Sequence, residues 1–124
     1  MDNLVIEKTK HTLGVDFNVS NGKLLIEGRS LPENTVEFFN PIFSFVKRYI
    51  VEYKQEISLD LKIVYFNSGS SKRFNELFQI LEDYHKIGGK VNVNWHYNSD
   101  DEDQLEEGEE FFEDFNMPFN LIPY

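Results

Sequence analysis

Leu59-Asp60-Leu61-Lys62-Ile63-Val64-Tyr65-Phe66 gives way to Asn67-Ser68-Gly69-Ser70-Ser71-Lys72, and then to a segment with Phe74, Leu77, Phe78, Leu81 and Tyr84 at helical spacing. The first block is an apolar run that reads as a strand, and the last is one face of a helix. Between them lies a strand-to-helix junction carrying hydroxyls. A helix start offers unpaired backbone N–H groups and the positive end of the macrodipole, so an anion placed there is stabilised by geometry already present. Ser68 is therefore a candidate phosphoacceptor, with Ser70 and Ser71 as alternates. The plain structural reading makes Ser70 or Ser71 the helix N-cap, worth about 1 kcal/mol. The junction matches neither a nucleotide loop, which needs a second Gly before its Lys, nor a serine-enzyme motif, because the residue three before Lys72 is Gly69. Lys72 is not expected to act as an activating base.

Working outward, Leu13 to Val19 reads as a strand, Ser20-Asn21-Gly22 as a hairpin turn and Lys23 to Glu27 as the partner strand. Pro32 to Tyr53 reads as a helix, with Val36, Phe39, Phe43, Val46 and Ile50 on one face and Phe38, Ile42, Phe45 and Tyr49 beside it. So wide an apolar arc must mostly face a sheet, yet it can also leave a patch for a partner. Pro41 should kink this helix or mark its true start. Gly88-Gly89 ends the helix after the junction. Lys90 to Tyr97 alternates as a strand, Asp100 to Phe115 reads as a helix with carboxylates on one side, and Phe119 to Ile122 as a short last strand. Helical crossovers before and after Leu59 to Phe66 imply parallel neighbours. The expected fold is a single-domain α/β structure, a mixed β-sheet with helices mainly on one face.

Composition fits a small adaptor. A chain of 124 residues has room for one core, and 40% apolar residues, with 15% aromatic, argue for a folded globule. There is no cysteine, so disulfides and thiolate metal sites are excluded. The sequence shows no signal-peptide pattern and no apolar run of membrane-spanning length, so the cytoplasm is the expected compartment. Of the net charge of −10, all is concentrated in Asn98 to Tyr124, which holds ten acids and no Lys or Arg, while the other twelve acids balance the twelve bases. Phosphates would be repelled there, which argues against nucleic acid and anionic membranes and for a basic protein partner.

The run Asp60 to Lys72 resembles the signature of the SiaC family of bacterial regulatory phosphoproteins, in which a strand ends in Tyr, an apolar residue, Asn and a Thr or Ser, followed by small residues and Lys. Leu31-Pro32-Glu33-Asn34, Val93-Asn94-Trp95-His96-Tyr97, the acidic segment and Met117-Pro118-Phe119 occur in the family's order and spacing. The resemblance implies that the hydroxyl residue after the Asn is phosphorylated by a partner kinase and reset by a metal-dependent phosphatase of the PP2C type. It also implies that the unphosphorylated protein binds and activates a diguanylate cyclase. The matching residue is Ser68. Ser stands where Thr is expected, and Gly69 follows where Ser is more usual, which loosens the loop and leaves the acceptor open among Ser68, Ser70 and Ser71. Asn67 would position the loop through its side-chain amide, and Lys72 and Arg73 would help hold a phosphate. The family in turn resembles the anti-sigma-factor antagonists, which implies a STAS-like fold.

Other chemistry carries less weight. The acidic run Asp100 to Glu110 lacks the Gly demanded midway in a calcium loop. His11, His85 and His96 lie in three elements without paired ligand spacing. Glu106 and Glu110, on an exposed helix face, make a poor acid–base pair, Trp95 reads as core, and Asp60 as a strand carboxylate capping a neighbouring loop. No cofactor, metal or enzymatic activity is expected. The alternatives are an anti-sigma-factor antagonist and a constitutive interaction module that uses the first helix and the acidic segment without phospho-switching.

Overall fold

The opening hairpin forms where the Asn-Gly pair predicts it. In the computed structural model, which describes residues 1–124, β2 (Gly14–Asn18) pairs antiparallel with β3 (Lys23–Ser30), Phe17 opposite Leu24. Gly22 takes φ 70°, and a Cβ there would collide with the Glu56 carbonyl, so the turn requires glycine on both counts. A strand that the sequence reading passed over, β1 (Leu4–Ile6), lies antiparallel on β2. Three residues are too few to show a period, and Asn3 Oδ1 helps fix them by accepting from the Val19 N–H at 2.9 Å. β3 runs past the predicted Glu27 to Ser30 through Gly28, at φ 110°, with a register shift between Gly28 and Arg29.

Beyond β3 the chain alternates through α1 (Thr35–Tyr53), β4 (Ile57–Phe66), α2 (Ser68–Lys86), β5 (Val91–Tyr97), α3 (Glu102–Phe112) and β6 (Phe119–Pro123). The strands from β3 to β6 are parallel, and the six strands lie side by side in chain order. Crossovers of one hand that all advance in one direction place their helices on one face. Burial agrees: in β4, Ile57, Leu59, Leu61 and Ile63 are buried while Lys62 and Val64, pointing the other way, are exposed. This is the predicted mixed sheet.

The helices meet the sheet through aromatic packing, with some departures from expectation. The buried stripe of α1 is Phe39, Ile42, Phe43, Val46 and Tyr49, while Val36 at its first turn is exposed and Ile50 only half-buried. The face is rotated from the predicted one because a nearly continuous apolar arc leaves the exact orientation to tertiary contacts. Its exposed apolar residues, Val36 and Val51, lie at opposite ends of the helix and form no patch. Pro41 does not mark the helix start: α1 begins at Thr35, capped by Asn34, whose Oδ1 accepts from the Glu37 N–H at 3.0 Å. Pro41 deprives only the exposed Glu37 carbonyl of a partner, which water can supply.

Trp95, 1% exposed, anchors α3 by donating its indole N–H to the Gln104 carbonyl at 2.9 Å. Gly108 lets α3 approach, since a Cβ there would sit 2.5 Å from Trp95 Cδ1 and 2.8 Å from Leu121 Cδ2. Glu82, buried on α2, accepts from the N–H groups of Asn116 at 3.0 Å and Met117 at 3.1 Å, fixing the turn from α3 into β6.

Candidate functional site

β3 and β4 end side by side: Ser30 pairs with Phe66, and the Asn67 N–H donates to the Ser30 carbonyl at 3.1 Å. Asn67 is extended, at φ −85° and ψ 173°, and its Oδ1 accepts from the Ser70 N–H at 2.8 Å while its carbonyl accepts from the Ser71 N–H at 3.0 Å. Asn67 is thus the N-cap of α2, in place of the predicted Ser70 or Ser71. Asn is as good a cap as Ser, and its position one residue after the strand lets its side chain reach the third helical N–H. The predicted positioning role of Asn67 takes this form. The N–H groups of Ser68 and Gly69, which precede the first intrahelical bonds, stay open.

The three serines have distinct fates. Ser68, the first residue of α2, is exposed. Ser70 is fully buried, with its Oγ 2.6 Å from Ser30 Oγ and donating to the Ser30 carbonyl at 3.1 Å. A hydroxyl so enclosed and doubly engaged cannot be reached by a transferase, so Ser70 is removed as an acceptor and becomes the bolt that holds the first turn of α2 against β3. Ser71 is half-buried and faces a cleft between α2 and α3.

The predicted supporting residues also divide. Lys72 is exposed one turn beyond Ser68 on the same helix face, and side chains there lean back towards the N-terminus. Arg73 is displaced from that face by roughly 140°. Its Nη2 lies 2.9 Å from Glu76 Oε1, so it is engaged within α2 and is not directed at Ser68. Gly69 does not loosen a loop, because it belongs to the first turn of α2 and its φ is not positive. It provides closeness instead: a Cβ at Gly69 would lie 3.1 Å from both Cγ2 and Oγ1 of Thr35, the first residue of α1. The starts of α1 and α2 are therefore in contact, with their positive dipole ends side by side. Sequence reading missed Thr35, and only the order of β3 and β4 in the sheet brings it there.

Beyond α2, the cleft of about 600 Å³ is lined by Tyr65, Ser71, Asn75 and the α3 carboxylates Asp103, Glu107 and Glu110, among others. Burial raises the pKa of Glu107, and repulsion from Asp101, Asp103 and Glu110 raises it further. Asp60 caps no loop. It lies on the uncovered sheet face, 2.7 Å from His96 Nε2, and accepts from Asn94 Nδ2 at 3.2 Å. Parallel pairing of β4 with β5 sets Asp60 opposite Asn94, a register that sequence spacing does not contain.

Comparison with known proteins extends this picture over the whole chain. The model of the SiaC family regulatory phosphoproteins matches residues 6–124. An uncharacterized protein of Pseudomonas aeruginosa (strain UCBPP-PA14) is 34% identical over 121 residues, covering 98% of this chain and 96% of the relative. The solved structure of SiaC of Pseudomonas aeruginosa is similar at a TM-score of 0.95 and 31% identity, with both chains covered in full. A chain in the crystal structure of the Pseudomonas aeruginosa diguanylate cyclase SiaD in complex with its activator SiaC is also similar. It has a TM-score of 0.95 and 32% identity, over 98% of this chain and 99% of that one. A family match over almost every residue, joined to the same fold at more than 30% identity, makes this chain a member of the SiaC family of regulatory phosphoproteins.

Proposed function

We propose that this chain is a non-enzymatic partner-switch adaptor of the cytoplasm whose state is written on Ser68. A cognate kinase transfers the γ-phosphoryl group of ATP to Ser68 Oγ; the P–O bond to ADP breaks, the Oγ–P bond forms and the hydroxyl proton leaves to a base of the kinase. A PP2C-type phosphatase hydrolyses the ester, returning the hydroxyl and releasing inorganic phosphate. In its unmodified form the protein binds and activates a diguanylate cyclase, the role that SiaC has towards SiaD in Pseudomonas aeruginosa. The observation that carries this reading is the exposed Ser68 at the capped start of α2, with two open N–H groups beside it and its neighbour Ser70 sealed.

The mechanism is a change of charge on a prepared surface. Phosphorylation adds close to two negative charges, which the helix N–H groups and Lys72 hold in place. A partner surface that fits the neutral hydroxyl then faces a desolvated anion, and affinity falls. Incubation with the cognate kinase and ATP, followed by mass mapping, should place the label on Ser68. Ser68→Ala should keep cyclase binding and Ser68→Asp should weaken it. Equal binding by both would overturn the switch in favour of constitutive docking.

A further inference from the structure

We propose that Thr35 is a positioning residue for the modified state: its hydroxyl donates to the phosphoryl group on Ser68, clamping that group between the starts of α1 and α2. The inference rests on the Ser68 reading and deepens it. Thr35 Oγ1 lies 3.1 Å from where a Gly69 Cβ would be, and Ser68 is the residue next to Gly69. A phosphoryl group carries three acceptor oxygens beyond Oγ, which extends the reach of Ser68 past its own position towards the neighbouring contact. The Thr35 hydroxyl is not spent on capping α1, because Asn34 does that work with its side chain on the Glu37 N–H and its carbonyl on the Phe38 N–H. The Thr35 and Val36 N–H groups stay open at the start of α1.

The side chain suits a divided task. Its methyl packs on Gly69 and spaces the two helix starts, while its hydroxyl supplies a donor from a second element. A phosphoryl group held by both elements would order the first turn of α1 along with that of α2, so a partner reading α1 would sense a change made on α2. Among the charged groups around this point, Glu33 and Glu37 of the α1 start and Asp101 and Asp103 of the α3 start oppose a phosphate, and Lys72 favours it. All are unaltered by a substitution at residue 35, so a comparison of variants isolates the hydroxyl.

The test uses full-length protein with phosphoserine installed at residue 68 by genetic encoding, so that no kinase is needed, and follows the phosphate by ³¹P NMR through its second ionisation, ordinarily near pH 6. Thr35→Val keeps the methyl and removes the donor, and should raise that ionisation by about half a pH unit, because a hydrogen bond to the charged form favours it. Thr35→Ser should titrate with the wild type, and Thr35→Ala should follow Thr35→Val even if valine disturbs the turn. Identical titrations in all four proteins would overturn the role of Thr35 whether or not a kinase uses Ser68. Kinase label mapped to another residue would instead overturn the Ser68 reading, and this role with it.

Discussion

Phosphorylation of Ser68 should stabilise the fold. The phosphate would occupy the first position of α2, next to two open N–H groups and one residue before Gly69, where the start of α1 makes contact. A negative charge at one helix start contributes about 0.3–1 kcal/mol when exposed and up to about 2 kcal/mol when partly buried. Two adjoining starts with Lys72 on the same face favour the upper part of that range, and the chain's net charge of −10 and Glu37 in the first turn of α1 reduce it. A net gain of about 1–2 kcal/mol remains, absent from the unfolded chain, and for a domain of this size it raises Tm by roughly 4–8 °C. Calorimetry on stoichiometrically phosphorylated and unmodified protein in low salt reads this directly. Because the interaction lies at the surface, added salt should shrink the difference. A Tm that falls on phosphorylation would refute the reasoning, since it would mean that the modification disrupts the junction and signals by unfolding it.

Three further outcomes follow from the packing around the site. Ser70→Ala should cost about 1–2 kcal/mol in urea titrations by stranding Ser30 Oγ, and the Ser30→Ala/Ser70→Ala double variant should cost less than the two single losses combined. Gly108→Ala should destabilise by about 1–3 kcal/mol despite the better helix propensity of alanine, because the added methyl strikes Trp95, and fluorescence of the chain's single tryptophan should shift red as α3 lifts. Glu107→Gln should stabilise at pH 7 by about 0.5 kcal/mol, discounted for partial exposure. The raised folded-state pKa of Glu107 means that stability is greatest below the ordinary glutamate value and declines as pH climbs through the folded one, so the advantage of Gln should vanish below about pH 4 in thermal melts across pH.

The sequence disclosed most of the architecture because most of the longer elements carry a clear period, whereas three-residue β1 has none. Alternation in Lys90 to Tyr97, Asn-Gly at 21–22 and the strand-to-helix change at Asn67 are local signals, and the parallel sheet follows from helical crossovers. The details that differed were set mostly by distant contacts, and in one case by helix angle. Ser70 stood as an alternate to Ser68 until the end of β3 came to rest against it and brought the Ser30 hydroxyl within 2.6 Å. Arg73 looked like a phosphate ligand by distance along the chain, but its helix angle turned it to Glu76. Gly69 suggested looseness by residue type, whereas its use is to admit Thr35, thirty-four positions earlier. Asp60 gave no hint of His96, because the partner of a carboxylate on a sheet face is chosen by strand register.

The location of Ser68 follows from the sheet itself. With β3 to β6 parallel and every crossover on one face, α1, α2 and α3 all begin at the same edge, so three positive helix ends gather there. α3 answers its own end with Asp101 as cap and Glu102 and Asp103 in its first turn, and α1 has Glu37, but the first turn of α2 carries no carboxylate. Of the three starts, the central one is left without a fixed anion and has an exposed hydroxyl at its first position. A group that supplies the missing charge reversibly finds donors already aligned for it. The unmodified state is then the less electrostatically satisfied one, and a partner that docks on it has no bound anion to displace. Under the proposed switch, that asymmetry would let a phosphate stabilise the adaptor and still exclude the partner: the N–H groups that bind it would hold it fixed in the path of docking.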